Sequence, residues 1–400
     1  MVRNATGCGD TSFPFDLTDR QLEITVAIKR LMEDFDDDYW LNIDRSGEFP
    51  HDFRKAVAQG GWLGICMPED VGGAALGITE ATIMMETIAN SGGAQTAASA
   101  IHLNIFGPNV LVKYGTVEQR QAFLPPIISG DLVTSFGVTE PDSGLDTTNI
   151  KTFARRDGDD YLISGRKLWN SCAKEADRIL LLTRTEKAGA GSKRADGMTL
   201  FFCELDRARI EVREIPKMGR HGVDSNMLFI DDLRVAHTDV VGEVGRGFYH
   251  LLEGLNPERI LIAGETVGIG RQAIARATQY ANERVVFGRP IGQNQSIQHP
   301  LSQSWMELEA AWLATLRAAA LYDAGRACGA ESNMAKYLGA EAGFTACERA
   351  VLTHGGMGYA QEYHVERLFR EVQIGRLAPV SQQLICCYIA ERVLGLPRSY

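Results

Sequence analysis

The stretch "LNPERILIAGE", residues 255–265, places a carboxylate directly before a guanidinium at the head of an apolar run. A carboxylate such as that of Glu258 is a group that can take up a proton in catalysis. The same pattern is also typical of a helix start, because Asn256 can cap a helix, Pro257 suits its first position and Glu258 would meet the positive end of the helix dipole. These residues alone leave both interpretations of Glu258 open.

Three further stretches place polar and aromatic side chains at the ends of predicted elements. They are "FGVTEPDSGLD" (136–146), "GRKLWNSCA" (165–173) and "ERVVFGRPIGQNQ" (283–295). Taken singly, they are typical of a turn, a core tryptophan beyond a strand, and a helix end. Taken together, they indicate a polar-lined slot for a flat aromatic ligand with a charged tail.

Other patterns argue against several classes of site. The stretch "GIGRQA" (268–273) matches a dinucleotide fingerprint, but it lies in a helical pattern without a preceding strand, so its glycines indicate close helix packing instead. The histidines and cysteines show no zinc-ligand spacing, and we predict no metal site. The absence of a G-x-S-x-G elbow leaves a serine hydrolase without support.

Composition narrows the class of protein. A net charge of -10, with no basic run longer than "GSKR", argues against nucleic-acid binding. There is no 18-residue apolar segment and no signal-like start, so we expect no membrane insertion. Eight cysteines without paired spacing are typical of reduced thiols. We therefore expect a cytoplasmic protein.

Periodicity divides the 400 residues into three parts. A helical period, clearest in "LEITVAIKRLMEDF" and "ITEATIMMETIANSG", predicts an α-helical domain at residues 1–130. A period of two, with a hairpin between "KTFARR" and "YLISGRK", predicts an antiparallel β-barrel or sandwich at 131–242. Within it, "EKAGAGSKRADG" (186–197) is typical of a surface loop.

The helical period then returns and predicts a four-helix bundle at residues 243–400. Its helices are expected at about 256–284, 297–325, 330–355 and 362–394. The fold class is therefore mixed α and β, in the order helices, sheet, helices.

With "VTEPDSG", "GRKLW", "ERVVFGRPIGQNQ" and "THGGMGYAQEYHVERLFRE" in this order, the whole chain resembles the acyl-CoA dehydrogenase family. The resemblance implies FAD bound across a subunit interface of a homotetramer. It also implies oxidation of an acyl-CoA thioester to the trans-2-enoyl-CoA, with electrons passed to electron-transfer flavoprotein.

The resemblance assigns cofactor contacts residue by residue. The expected FAD-binding residues are Val138, Thr139, Gly144, Trp169, Ser171, Arg284, Phe287, Gln295, Gly355, Gly356 and Ser381. Ser171 stands where the family usually has Thr, so a hydroxyl is kept. Two departures each remove a hydrogen-bonding group near FAD or CoA: Leu145 replaces a usual Ser or Thr, and Leu352 replaces a Gln.

The family's usual catalytic Glu is missing, because the corresponding stretch "RLAPVSQQ" (376–383) contains no carboxylate. In the isovaleryl- and long-chain-type members, the base is instead a Glu directly before an Arg on the first helix of the bundle. Glu258 matches that base, and Arg259 is expected to contact the substrate. Glu258 would take the α-proton while flavin N5 takes the β-hydride. Replacing Glu265, further along the same run, is expected to cost far less.

The family also holds the thioester carbonyl with a backbone N–H at the position of the usual Glu. That position falls on Pro379, which has no N–H. A register slip of one residue predicts Ala378 as the donor instead.

Two alternatives on the same fold remain open. A flavin monooxygenase or acyl-CoA oxidase would reoxidise the flavin with oxygen. A non-catalytic acyl-CoA-binding homologue would show no flavin reduction. The chain length, branching and ring content of the acyl group cannot be inferred from these residues.

Overall fold

A computed structural model describes residues 16–186 and 193–399 of the chain. Residues 187–192, which belong to the predicted surface loop, lie outside the described residues. No helix in the described ranges combines the length and apolar character needed to cross a membrane.

The first part of the chain is helical, as its periodicity predicts. The seven α-helices of this part, within the described residues, are α1 (Asp19–Met32), α2 (Asp37–Ser46), α3 (His51–Gln59), α4 (Ile78–Ile88), α5 (Ala94–Phe106), α6 (Asn109–Tyr114) and α7 (Val117–Ser129). Helix α1 begins with a capping box, in which the Thr18 hydroxyl accepts from the Gln21 N–H and the Gln21 side chain accepts from the Thr18 N–H. It buries a stripe formed by Ile24, Ile28 and Met32.

The middle part forms one eight-stranded sheet. The strands are β1 (Thr134–Gly137), β2 (Phe153–Asp157), β3 (Asp160–Ser171), β4 (Arg178–Arg184), β5 (Met198–Glu204), β6 (Ile210–Glu214), β7 (Ser225–Val235) and β8 (Val240–Val241). Their order is β6-β7-β3-β2-β4-β5-β8, with β1 also paired to β4. Because the end strands β6 and β8 do not pair with each other in the described chain, the sheet is open, and of the two predicted forms, barrel or sandwich, the closed barrel is not found.

The pairing is also not purely antiparallel, because β1 and β2 both run parallel to β4. The five central residues of β4, 179–183, are all buried, which is typical of a strand covered on both faces. The predicted hairpin is confirmed: β2 pairs antiparallel with β3 from Phe153–Ser164 to Asp157–Asp160.

Strand β3 runs further than predicted and includes the "GRKLWNS" stretch. Its pairing with β7 is interrupted between Lys167 and Asn170. Trp169 lies in this irregular segment with φ +63, and its side chain is 55% exposed. A bulge of this kind re-aims a side chain out of the sheet. Trp169 is therefore presented on the surface of the sheet rather than buried in a core.

The last part is helical again. Its elements are α8 (Gly247–Glu283), β9 (Val285–Val286), β10 (Arg289–Pro290), α9 (Gln295–Asp323), α10 (Gly329–His354), α11 (Val365–Val372), α12 (Ile374–Leu377) and α13 (Gln382–Arg392). The predicted fourth helix is interrupted, since Ala378 is extended and precedes Pro379, which disfavours helical backbone before it.

Helix α8 is the axis of this part. The glycines of the "GIGRQA" stretch allow close packing, as interpreted from the sequence: a Cβ on Gly268 would lie 2.4 Å from the Glu86 carbonyl oxygen, and one on Gly270 would lie 3.0 Å from the Gly343 Cα. The dinucleotide interpretation has no strand to support it. Helices α4, α9 and α10 all pack against α8.

Candidate active site

Glu258 lies well inside helix α8, eleven residues after its first residue, Gly247. The capping interpretation is therefore wrong, and so is the first-turn position that it implied for Glu258. Asn256 does not cap the helix; its side-chain oxygen accepts a hydrogen bond from Arg259 Nη1 at 3.0 Å. Pro257 is accommodated inside the helix.

The carboxyl group of Glu258 has no hydrogen-bond or ion-pair partner in the described part of the chain, although its side chain is half-buried. Burial raises the pKa of Glu258 to about 7, against the opposing charges of His102, Arg259 and Lys336. The negative charge of Glu265 also raises it. A carboxyl group with these properties is available to a ligand and can exchange a proton near neutral pH.

A second carboxylate, Glu265, lies seven residues further on α8, on the same helix face. It is fully buried and accepts from Gln95 Nε2 at 2.5 Å, and its other oxygen lies 2.6 Å from His102 Nδ1. Burial disfavours a charged imidazole, yet the Glu265 carboxylate outweighs burial and raises the pKa of His102. Glu265 thus belongs to a buried ion pair, so its replacement is expected to cost stability, while its smaller effect on flavin reduction stays a prediction.

Arg259, the residue after Glu258, is half-buried. Its Nε is buried without a hydrogen-bond partner among the described residues, and burial lowers the pKa of its guanidinium. The charges of Glu258 and of Tyr388, on α13, act in the opposite direction. A guanidinium with an unsatisfied N–H is suited to bind an acceptor, so substrate contact by Arg259 stays a prediction.

The segment that replaces the family's usual base is tied to α10. Arg376 Nε donates to Glu341 at 2.8 Å, and Lys336 Nζ donates to the Val380 carbonyl at 2.7 Å. The Ser381 hydroxyl accepts from the Leu384 N–H at 3.3 Å and so caps α13. That bond leaves the hydroxyl hydrogen of Ser381 free for a cofactor contact.

The structure does not support Ala378 as an oxyanion donor. Its N–H already donates to the Ile374 carbonyl at 2.9 Å, which closes the last turn of α12. The next N–H along the chain, that of Val380, has no hydrogen-bond partner among the described residues.

On the sheet, a buried ion pair fixes the predicted cofactor loop. Lys167 Nζ donates to the Val138 carbonyl at 3.0 Å and to Glu140 at 2.9 Å, and the Leu168 N–H donates to the Thr139 carbonyl at 2.8 Å. Burial lowers the pKa of Lys167 to about 8, and Glu140 opposes that change. The structure thus brings residues 138–140 against the part of β3 that carries Trp169.

Ser171 faces a different partner. Its hydroxyl accepts from Arg220 Nη2 at 3.2 Å, and Arg220 also donates to Ser99 on α5 at 3.2 Å and to Ser225 at 2.8 Å. The Arg220 guanidinium therefore joins the helical part to the sheet beside a predicted flavin contact. Gly144, which follows the 138–140 stretch, lies in an exposed bend with open space around it.

The other predicted cofactor residues form a separate exposed group at the far end of α8. Phe287 is fully exposed with φ +51. The members of this group are Arg284, Phe287, Gln295, Gly355 and Gly356. The rings of Tyr280 and His354 stack with their centres 4.3 Å apart, which brings the end of α8 beside the end of α10. Arg284 follows Glu258 by 26 residues along one helix, which separates them by about 39 Å.

The two departures from the family pattern are both exposed: Leu145 by 62% and Leu352 by 71%. Their apolar side chains therefore face the open surface beside the predicted cofactor residues. No group of His, Cys, Asp and Glu side chains in the described ranges is arranged to hold a metal ion.

Sequence reasoning missed four polar residues of the site. They are His102, Lys167, Arg220 and Lys336. The available signal was the same for His102 and Lys336, because each is an ionisable residue with apolar or small residues directly on both sides, in "AIHL" and "MAKYLGA". Such a residue at a buried helix position indicates a partner that the local sequence does not reveal.

Helices around an open sheet, a half-buried carboxyl group with a pKa near 7 on a central helix, and exposed polar and aromatic residues suited to a flat ligand are consistent with a flavoenzyme of the family that the sequence resembles. Family models agree. The N-terminal domain of acyl-CoA dehydrogenases matches residues 18–131, the middle domain 135–233 and the C-terminal domain 245–394.

The chain belongs to the acyl-CoA dehydrogenase family. It is 36% identical to the acyl-CoA dehydrogenase FadE12 of Mycobacterium tuberculosis over 98% of this chain and 100% of that protein. A glutaryl-coenzyme A dehydrogenase in complex with glutaryl-CoA superposes with a TM-score of 0.91 at 28% identity, covering 97% of this chain and 98% of that one.

A chain from the structure of the electron transferring flavoprotein of Acidaminococcus fermentans also has a TM-score of 0.91, at 28% identity, over 96% of this chain and 100% of that one. The protein is therefore an acyl-CoA dehydrogenase, an oxidoreductase acting on CH–CH groups, and FAD is the cofactor of its family.

Proposed function

We propose that Glu258 is the base that takes the α-proton of an acyl-CoA thioester, giving the trans-2-enoyl-CoA. The observation that carries the proposal is a half-buried carboxyl group on α8 that has no protein partner in the described chain and whose pKa is raised to about 7. An ordinary surface glutamate is a weaker base, because its pKa lies near 4.3. The raised value places proton uptake in the neutral range.

In this proposal, the cofactor accepts the hydride and the protein chain accepts the proton. When bound, FAD supplies the acceptor at N5 for the hydride of the β-carbon. The chain holds the proton at Glu258, and Arg259 is positioned beside it to restrain the substrate. The free N–H of Val380 replaces Ala378 as the donor that we propose for the thioester carbonyl.

The residues of the chain fit an FAD in two groups. The Thr139 and Ser171 hydroxyls, the exposed ring of Trp169 and the open turn at Gly144 would hold one part of it. Arg284, Phe287 and Gln295, with the open backbone at Gly355 and Gly356, would hold another. Lys167 keeps the first group in place through Val138.

The separation of the two groups supports an oligomer. The second group begins about 39 Å from Glu258 along α8, and a fully exposed Phe287 is costly to leave in water. We propose that each chain lends this second group to the FAD of a neighbouring copy, in a homotetramer. This proposal accounts for the exposure of Phe287.

Electron-transfer flavoprotein is the electron acceptor that we propose, supported by the likeness to the chain from the Acidaminococcus fermentans structure. An oxidase or monooxygenase would consume oxygen during turnover, and a non-catalytic binder would leave the flavin oxidised. The unpartnered Glu258 favours the dehydrogenase over the non-catalytic binder, because a binder has no use for a buried carboxyl group of raised pKa.

The test is anaerobic mixing of the FAD-loaded protein with a panel of acyl-CoA thioesters, followed at the flavin absorbance. We expect bleaching by at least one thioester and no bleaching by the matching free acid. The Glu258→Gln variant should bind FAD and stay yellow with the same thioester. Full bleaching in that variant would overturn the assignment of the base.

A further inference from the structure

Lys336 is a fully buried lysine in the middle of helix α10. Its ammonium group donates to the Val380 carbonyl at 2.7 Å, and no carboxylate lies within ion-pair distance of it in the described chain. Desolvating an ammonium group is expensive, and an apolar side chain of similar volume is often equally stable at such a position. A buried lysine whose ammonium group is held by a carbonyl alone is therefore not explained by its contribution to stability, and a role in function is indicated.

The surroundings of Lys336 indicate what that role is. Helices α10 and α8 pack closely and run in the same direction here, because a Cβ on Gly339 would meet the Ala263 carbonyl oxygen and one on Gly343 would meet the Thr266 carbonyl oxygen. Lys336, three residues before Gly339, therefore lies near the level of Arg259 on α8.

The charges of Lys336 and Glu258 act on each other at this level. The other charged groups facing Glu258 are Arg259 and Glu265 on α8 and His102 on α5. None of these cations forms an ion pair with Glu258 in the described chain. The Glu258 carboxylate oxygens are therefore available to a ligand, while the nearby positive charges still lower its pKa.

Lys336 also acts on the segment that joins α12 to α13. Its bond fixes Val380, in the turn between α12 and α13 that stands where most of the family has its catalytic Glu. Five residues along α10, Glu341 binds Arg376 at 2.8 Å and also accepts from Gln382. Glu341 therefore holds the two flanks of this turn, and Lys336 holds Val380 within it.

Resting on the proposed role of Glu258, we propose that Lys336 is a positioning residue of the reaction: it anchors the 378–381 turn through Val380 and supplies a positive charge that favours the ionised form of the Glu258 carboxyl group. It touches neither the substrate nor the reacting atoms in this proposal. It acts through Val380 and through its charge.

The pKa values of Glu258 and Lys336 define the pH range in which both groups are charged. Burial and Arg259 lower the pKa of Lys336 to about 8, against the charges of Glu258 and Glu341. Since the pKa of Glu258 is about 7, the window in which the base is ionised while Lys336 is still charged lies between about pH 7 and 8. Removing the cation favours the protonated carboxyl group and raises its pKa further.

The experiment compares Lys336→Met, Lys336→Gln and Lys336→Arg with the parent FAD-loaded protein. For each, the rate of anaerobic flavin reduction is measured as a function of pH. We expect the midpoint of the rising limb to move to higher pH by about one unit in the two neutral variants. Lys336→Arg, which keeps the charge, should restore the parent midpoint even if its rate is lower. Arg349→Met is the matched control, since this arginine lies on α10 and bonds to Ser304 at 2.8 Å.

A structural role alone would lower stability and leave the midpoint unchanged in all variants, and that result would overturn the proposal. A second measurement separates this failure from a failure of the proposed function. The Glu258 carboxyl is titrated by ¹³C NMR in protein labelled at glutamate, with Glu258→Gln used to assign its signal. A titration that Lys336→Met does not move would overturn the proposal whether or not any thioester bleaches the flavin. Absence of bleaching in the parent would count against the base alone.

Discussion

Glu258 and Glu265 lie on the same face of α8, two turns apart, and their bonding is opposite. Glu265 is fully buried and lies 2.6 Å from His102 Nδ1, whereas the Glu258 carboxyl has no hydrogen-bond partner in the described chain. A buried carboxylate that is paired with an imidazolium, such as Glu265, has a structural role. An unpartnered one is available to a substrate.

Replacing Glu258 by Gln should slow flavin reduction by about 10² to 10⁴, because an amide keeps the shape of the side chain but cannot take a proton. FAD should remain bound, since the change lies outside the predicted cofactor residues. Stopped-flow absorbance at the flavin band measures the rate. The control is Glu253→Gln on the same helix, an exposed residue that bonds to Lys113 at 3.2 Å. Equal losses in both variants would argue against a catalytic role for Glu258.

The same Gln variant should change the pH dependence of stability. Burial raises the pKa of Glu258 to about 7 in the folded chain, above its ordinary value of 4.5, so the folded state holds this proton more tightly than the unfolded state. Stability from this group is present below pH 4.5 and is lost as the pH rises to about 7. Glu258→Gln should therefore gain stability over the parent across that interval. Urea unfolding of the two proteins at pH 5 and pH 8 checks this expectation, and an identical difference at both pH values would contradict it.

Replacing Glu265 by Gln should destabilise the protein by about 3 to 5 kcal/mol, because His102 would be left as a buried cation without its partner. Chemical denaturation measures the loss. The matched control is Glu283→Gln, at the exposed end of the same helix, where the side chain accepts from Gln279 at 3.0 Å. If Glu265→Gln unfolds at the parent denaturant concentration, the ion pair contributes nothing.

Replacing Phe287 by Ala should weaken assembly and FAD binding without lowering the stability of the single chain. Its ring is fully exposed, so no contact within the chain is lost. Sedimentation velocity at decreasing protein concentration should show dissociation of the variant at concentrations where the parent stays oligomeric. Val26→Ala, exposed by 66% on α1, serves as the control. If the variant and the parent dissociate at the same concentration, Phe287 does not contribute to the interface between chains.

The helical parts of the fold follow from local periodicity, since α4, α9 and α10 each repeat apolar residues at helical spacing. The start of α8 did not follow, because the Asn-Pro-Glu sequence at 256–258 carries every local sign of a helix start. Tertiary contact overrides it. At Gly247 the backbone lies so close to β5 that a Cβ would be 2.5 Å from the Leu200 nitrogen. That contact places the true start nine residues earlier than the local signal.

Site residues that belong to contiguous motifs could be predicted from the sequence. Site residues that bond to partners distant in the sequence could not. The bond between His102 and Glu265 joins residues 163 positions apart, and that between Lys336 and Val380 spans 44. Neither pair leaves a local pattern. The open edge of the sheet was hidden for a similar reason, because alternation along a strand specifies its faces and not which neighbour it pairs with.

A single 37-residue helix, α8, carries the base near one end and the predicted contacts to a neighbour's cofactor at the other. In the proposed assembly, the two roles of one chain therefore serve two different sites. A chain deficient in Glu258 can still support its neighbour, and a chain deficient in Phe287 still has a base of its own. Co-expression of the two defective chains should produce mixed particles that contain one intact site per pair, so activity absent from either chain alone would return by complementation.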